Sequence, residues 1–204
     1  MRFLALADLH GTLPRLDAHL PGVDAVLLAG DLAPDVADLS RTESQAAWFD
    51  TIFHDWVAAL AIPVYACYGN HDFAEMRRVP DNLRIGGDAV HDGVFLFSWA
   101  LRYGPYRWMA TEKEIARHLA KYKHLPDVWV LHSPPHMCCE FVNRRHAGVK
   151  AIRAAIEYHQ PRVVVCGHIH EGERRGRIDG TRVYNVSVLD DKYRWVHEAT
   201  LIEM

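Results

Sequence analysis

The sequence predicts a layered α/β sandwich built on two mixed β-sheets. Short apolar runs without strict polar alternation recur between helical segments, the pattern of parallel strands covered on both faces. After Asn82 the character changes to strand-like pieces separated by glycine-rich turns, which suits a second sheet. No internal repeat, low-complexity segment or linker interrupts the chain. One domain over residues 1–204 is therefore expected, without a separate capping domain.

The first strand is expected at Arg2–Ala7, stopped by Asp8, and Gly11–Leu20 reads as a loop and a short helix. Val23–Ala29 lies between Gly22 and Gly30 as a buried strand. Ser40 followed by Glu43 has the form of a capping box, in which a hydroxyl and a carboxylate satisfy each other's backbone amides. It opens a helix to about Leu60. Ala46, Phe49, Phe53, Trp56, Val57 and Leu60 recur there at the spacing of one buried face. Pro63 precedes a third strand at Val64–Cys67, and Leu83–Ile85 and Val94–Trp99 are expected in the second sheet. Thr111 with Glu114 repeats the capping box and starts a helix to about Lys123. Val128–Leu131 reads as a strand, Arg145–His159 as a helix and Val163–Cys166 as a strand. Arg177–Tyr184 forms a hairpin around Asp179-Gly180, a favourable two-residue turn, before a last strand over Arg194–Ile202.

A chain of 204 residues can enclose a core without disulfides. Hydrophobic and charged fractions of 50% and 24% are those of a soluble globular protein. Cys67, Cys138, Cys139 and Cys166 lack disulfide-scaffold or zinc-finger spacing, so reduced thiols in a cytoplasmic protein are expected, with Cys67 and Cys166 buried. The apolar start MRFLALADLHG is broken at Asp8 and His10, with no cleavage pattern behind it. No stretch approaches the ~20 apolar residues of a membrane span. A net charge of −3 argues against holding long nucleic acid through its phosphates, which leaves nucleic acid a role only as a substrate. Oligomeric state stays open.

Five polar clusters follow apolar runs directly: Asp8-Leu9-His10, Gly30-Asp31, Gly69-Asn70-His71-Asp72, His132 and Gly167-His168-Ile169-His170. The carboxyl ends of strands in an α/β sheet converge on one edge, so groups some 160 residues apart can share a cleft. Asp-x-His and Gly-Asp are weak signals alone, and Gly-Asn-His-Asp is more specific. Gly-His-x-His is stronger, because residues i and i+2 of an extended segment point the same way. Asp8, His10, Asp31, Asn70, His132, His168 and His170 offer carboxylate, imidazole and amide donors and no thiolate, a set suited to manganese, zinc or iron. Seven donors exceed one tetrahedral ion and suit two neighbouring ions sharing a carboxylate, an arrangement that polarises a phosphoryl oxygen and generates hydroxide.

The order D-L-H, G-D, G-N-H-D, H-S-P-P and G-H-I-H, from Asp8 to His170, resembles the calcineurin-like metallophosphoesterase family. The tail G-H-I-H-E-G with D-G-T-R-V-Y-N-V-S is similar to small phosphodiesterase-type members related to the mammalian metallophosphoesterase-domain proteins. The resemblance implies a four-layer sandwich of two mixed β-sheets flanked by helices. It implies a first ion on Asp8, His10 and His170, a second on Asn70, His132 and His168, and Asp31 bridging them. Manganese is the expected metal, with zinc or iron also found in the family. His71 would stand outside the metal shell near the leaving-group oxygen.

Direct hydrolysis of a small phosphodiester is then expected, with a bridging hydroxide attacking in line and His71 stabilising the developing charge or protonating the departing oxygen. The substrate is expected to be a small or cyclic-nucleotide-like diester, and a phosphomonoesterase or nuclease would use the same site. A non-enzymatic metal-binding interaction module is the remaining class, and the intact set of seven donors speaks against it. Asp72 either orients His71 or pairs with an arginine. Tyr103, Tyr106, Trp108, Arg102 and Arg107 either wall a base and reach phosphate or pack their loop. His146 is a candidate substrate contact, although Met137, Cys138 and Glu140 depart from the relatives' pattern. Arg174, Arg175 and Arg177 either steer an anion or belong to a solvated hairpin.

Overall fold

The computed structural model describes residues 1–36 and 42–204. In chain order the elements are β1 (Arg2–Leu6), β2 (Ala25–Ala29), α1 (Thr42–Trp48), α2 (His54–Leu60), β3 (Val64–Cys67), β4 (Leu83–Gly86), β5 (Asp88–His91) and β6 (Val94–Phe97). They continue with β7 (Ala100–Leu101), β8 (Met109–Ala110), α3 (Glu112–Leu119), β9 (Val128–Leu131), β10 (Phe141–Val142), β11 (Arg145–His146) and α4 (Lys150–His159). The last strands are β12 (Val163–Cys166), β13 (Arg175–Ile178), β14 (Thr181–Asn185) and β15 (Thr200–Glu203). A π-helical turn, Phe49–Phe53, joins α1 to α2.

Two mixed sheets result. One has the order β15-β1-β2-β3-β4 and the other β13-β14-β12-β9-β6-β5. In each, the central strands run parallel and an antiparallel strand closes at least one edge. Alternation along the strands decides which layer each side chain enters. Leu4, Leu6, Val26 and Leu28 meet Phe49, Phe53, Val57 and Leu60 from the helical layer. Phe3, Ala5, Leu27 and Ala29 turn instead to Leu96, Val130, Val163 and Val165 of the other sheet. On the far side, Phe95, Trp129, Leu131 and Val164 pack against Ile115, Leu119, Ile152 and Ile156. The predicted helical face from Ala46 to Leu60 is buried, except that Trp56 is only partly covered.

Several local expectations are corrected. Leu83–Ile85 belongs to the first sheet, because β4 pairs in parallel with β3 through Val64↔Leu83 and Ala66↔Ile85. Gly11–Leu20 forms turns rather than a helix: the His10 and Gly11 amides donate to Asp31 and Leu32 carbonyls, and Pro14 has no amide to give. The helix expected from Arg145 begins at Lys150, since Ala147 and Gly148 give their amides to Glu140 and Arg145–His146 pairs with Phe141–Val142. The helix after Thr111 ends at Leu119, short of Lys123. Strand β15 starts at Thr200, because the Asp190 carboxylate accepts from the Lys192 and Arg194 amides and folds that stretch into a turn. The Thr111–Glu114 capping box forms as read, with both reciprocal bonds. Ser40, proposed as the cap of the first helix, lies outside the described residues. All four cysteines are free and buried.

Candidate metal centre

Strands β1, β2 and β3 run directly into Asp8, Asp31 and Asn70, while β9 and β12 run into His132 and His168. Both sheets thus deliver polar groups from the carboxyl ends of adjacent parallel strands. The chain turns sharply at these points. Asp8, His10, Asp31 and His168 have φ of 56°, 42°, 50° and 69°. Left-handed backbone of this kind costs about 1–3 kcal/mol per residue and persists where the surroundings over-determine it. Two glycines let the loops close on one another. A Cβ on Gly69 would collide with Asp31 Oδ1, and one on Gly167 would lie 2.5 Å from Asp8 Oδ2.

Backbone carbonyls fix which imidazole nitrogen points inward. His132 Nδ1 lies 3.0 Å from Ala29 O and His170 Nδ1 lies 2.9 Å from Asp190 O, so each Nδ1 carries the hydrogen. Their Nε2 atoms then face the centre. His132 Nε2 is 2.8 Å from Asn70 Oδ1 and 3.4 Å from Asp31 Oδ2. The Asn70 amide nitrogen donates to Tyr103 Oη at 3.1 Å, which makes the inward amide atom the oxygen. Three lone-pair acceptors converge there with no hydrogen between them. His170 Nε2 faces Asp8 Oδ1 at 3.6 Å. His10 gives Nδ1 to Asp35 Oδ1 at 3.1 Å, leaving Nε2 buried without a hydrogen-bond partner 3.9 Å from Asp31 Oδ2. A buried acceptor lacking a donor is costly. Here shared cations would satisfy all of them.

The ligand-type atoms form three compact sets, Asp8–His10–His170, Asp31–His132–His168 and His10–Asp35–His71, the atoms of each within 4.8 Å of one another. Asp31 Oδ1 accepts the His71 amide at 2.7 Å, so only Oδ2 is left facing His10 and His132. Burial pulls the His168 pKa down to about 3, aided by His132, so this imidazole is neutral and needs no deprotonation to ligate. Burial opposes protonation of His170 as well, but the Asp8 hydrogen bond and charge outweigh it and push the pKa up to about 9. The same pairing, against burial, holds Asp8 well below the usual carboxylate range. A metal ion held there would have to displace the proton between Asp8 and His170.

His71 Nδ1 lies 2.8 Å from Asp35 Oδ1. Burial opposes protonation of His71, but this hydrogen bond and the Asp31 charge raise its pKa. Asp72 plays neither role expected of it. Its carboxylate is fully buried and accepts from the amides of Leu32, Ala33 and Gly69 at 2.8–3.2 Å, tying two of the loops together. Asp35, which the sequence reading passed over, takes the place beside His71. Nothing in the run Ala33-Pro34-Asp35-Val36 distinguishes that aspartate from a loop acid.

Rings surround the opening. Tyr193 stacks on His10 at 4.2 Å, Tyr106 lies 4.7 Å from His71, and Tyr103 lies 5.4 Å from Tyr106. Tyr193 was not singled out from sequence, because it adjoins a segment that reads as a strand. Tyr103 and Tyr193, with Val142, Asn143 and members of the donor set, border a cavity of about 290 Å³. Arg107 does not face it. Its guanidinium binds Phe73 O at 2.6 Å and Glu75 at 2.5 Å. Trp108 stacks on Tyr68 at 5.4 Å with the rings 3° apart, so this part of the aromatic segment packs its loop. His146 lines a separate hollow with Cys138 and Gly176, and its Nδ1 is held by Glu140 at 2.7 Å. Arg174 is engaged by Ser187 O and Thr200 Oγ1.

Among the described residues no helix is long and apolar enough to cross a membrane. The family model described as calcineurin-like phosphoesterase matches residues 1–172. No curated protein matches the chain. One solved structure is similar with a TM-score of 0.69 at 13% identity, covering 99% of this chain and 98% of that one. The crystal structure of TT1561 of Thermus thermophilus is similar with a TM-score of 0.59 at 15% identity, covering 90% of this chain and 88% of that one. At these identities the likeness concerns the fold alone.

Proposed function

The chain belongs to the calcineurin-like phosphoesterase family, and from that premise we propose that it hydrolyses small phosphodiesters with two divalent ions, manganese first among them. The observation that carries this reading is the convergence of His132 Nε2, Asn70 Oδ1 and Asp31 Oδ2, with His10 Nε2 buried and unpartnered beside them. The donor set of nitrogen and oxygen without thiolate fits manganese, with zinc and iron as alternatives.

The first ion would be held by Asp8, His10 and His170, the second by Asn70, His132 and His168, with Asp31 common to both. When bound, such ions polarise a phosphoryl oxygen and make a water nucleophilic at neutral pH. The chain's own groups do the rest. Asp31 is locked by the His71 amide, His132 and His170 are oriented by backbone carbonyls, and Asp35 fixes His71 so that Nε2 is free. The raised pKa of His71 suits it to stabilise charge on, or protonate, the departing oxygen. Tyr103 and Tyr193, both exposed at the opening, offer faces to an aromatic leaving group such as a nucleobase.

The test is a panel of bis-p-nitrophenyl phosphate, p-nitrophenyl phosphate, 2′,3′- and 3′,5′-cyclic nucleotides and single-stranded DNA, each with manganese, zinc or no metal. Metal-dependent turnover of the small diesters above the monoester and DNA is expected. Turnover confined to p-nitrophenyl phosphate would make the chain a monoesterase, and none with any substrate would remove the enzymatic reading.

A further inference from the structure

Asp8 is gripped from behind by groups that no metal or substrate would touch. Its Oδ2 accepts the Ser187 hydroxyl at 2.5 Å, and both its oxygens lie 3.0–3.1 Å from the His168 amide. Ser187 is fully buried and forms an isolated parallel bridge to Ala7, where the end of β14 meets the end of β1. It is itself pinned: its amide donates to Asn185 Oδ1 at 3.1 Å, its hydroxyl oxygen lies 2.8 Å from the same Oδ1 while its one hydrogen goes to the nearer, charged Asp8, and its carbonyl receives Arg174. Asn185, equally buried, spends its side-chain nitrogen on Ile169 O at 2.7 Å and Cys139 O at 3.2 Å. Ile169 is the residue between His168 and His170. A Cβ on Gly172 would lie 2.8 Å from that amide nitrogen and closer still to Cys139 O, so the clip closes only over a glycine.

We infer that Ser187 and Asn185 are positioning residues for the two-ion centre, each with a different reach. Ser187 occupies Oδ2 of Asp8, so Oδ1 alone is presented toward His170, and its effect falls on the ion held by Asp8, His10 and His170. Asn185 braces the loop that carries His168 and His170 together, so its effect falls on both ions. Hydrogen bonds behind metal ligands commonly change affinity by about 10–100-fold. The inference rests on the two-ion reading above.

Manganese titration of the metal-free protein, followed by calorimetry and by the exchange-coupled electron paramagnetic resonance signal of paired ions, separates the possibilities. Wild-type protein is expected to bind two ions. Ser187→Ala is expected to keep one at wild-type affinity, weaken the other about 10–100-fold and lose the coupled signal at limiting metal. Asn185→Ala is expected to weaken both. Thermal melting of each metal-free variant provides the control, and Ser187→Thr, which retains the hydroxyl, should restore two-ion binding. Two ions bound by Ser187→Ala at wild-type affinity would overturn the inference while leaving the function intact. Equal weakening of both ions by Ser187→Ala would overturn it too, by making the serine a general stabiliser. If Ser187→Ala does not fold, Ser187→Cys, a weaker donor, carries the same selective expectation and the same overturning results. Wild-type protein that binds no manganese would instead defeat the two-ion reading itself.

Discussion

Two loops at strand ends bury carboxylates in opposite ways. After β9, Glu140 is 1% exposed and its oxygens receive the amides of Met137, Ala147 and Gly148 together with His146 Nδ1. After β2, Asp31 is 2% exposed, yet among the described residues its Oδ2 accepts no hydrogen bond and faces two imidazole nitrogens. Burying a charge is expensive unless it is matched. Glu140 is matched by the chain, and its loop is closed. Asp31, among the described residues, is not matched in this way. Asp72 lies between the cases: backbone amides satisfy it, but burial and then the Asp31 charge push its pKa up to about 6. The number of unanswered acceptors, rather than burial, separates a candidate centre from a structural loop.

That contrast can be broken by substitution, starting where the effect is largest. Asp31→Asn should bring metal-dependent turnover to background and reduce manganese bound per chain, measured by steady-state assay and elemental analysis. Unchanged turnover would dismiss the bridging role. His71→Ala should keep both ions while lowering kcat by about 10²–10⁴-fold for diesters with poor leaving groups, and much less for p-nitrophenyl esters. Equal losses for good and poor leaving groups would take His71 out of leaving-group chemistry.

Glu140→Gln should do the reverse, lowering stability by about 1–3 kcal/mol in urea unfolding without changing manganese stoichiometry. Its pH dependence has a definite sign. Burial raises the Glu140 pKa, but His146 and the three amides outweigh it, so the folded value lies below the ordinary glutamate value of 4.5. The carboxylate therefore contributes fully above the unfolded pKa, and its contribution is lost as pH falls through the depressed folded value. The penalty of Glu140→Gln should shrink below about pH 4; a penalty that grew on acidification would contradict the assignment. Thr111→Ala, which touches neither carboxylate, removes the cap of α3. It should cost about 1 kcal/mol in the same unfolding experiment and leave turnover alone.

The layers of the sandwich were readable because apolar runs such as Val128–Leu131 and Val163–Cys166 are too short for helices and bounded by turn residues. That the polar residues at the strand ends would come together was readable for a related reason: Gly-His-x-His and Gly-Asn-His-Asp carry their spacing with them. What escaped depended on partners distant in sequence. Asp35 matters through its contact with His71, 36 positions away, and Ser187 through Asp8, 179 away. The start of α4 was misplaced because Glu140 draws off the amides of Ala147 and Gly148, which no periodicity records. Strand β4 was assigned to the wrong sheet for a similar reason, since pairing with β3 is decided by register across the sheet. For Arg107 the company of aromatics left phosphate contact and loop packing both open, and Glu75 and the Phe73 carbonyl claim it.

The central claim is that Asp31 stands between two ions. Crystals grown with manganese and measured at its absorption edge test this most directly. The account predicts two anomalous peaks per chain, about 3.5–4 Å apart, with Asp31 between them and His10 and His132 on opposite sides. A single peak, or a pair away from Asp31, would contradict it.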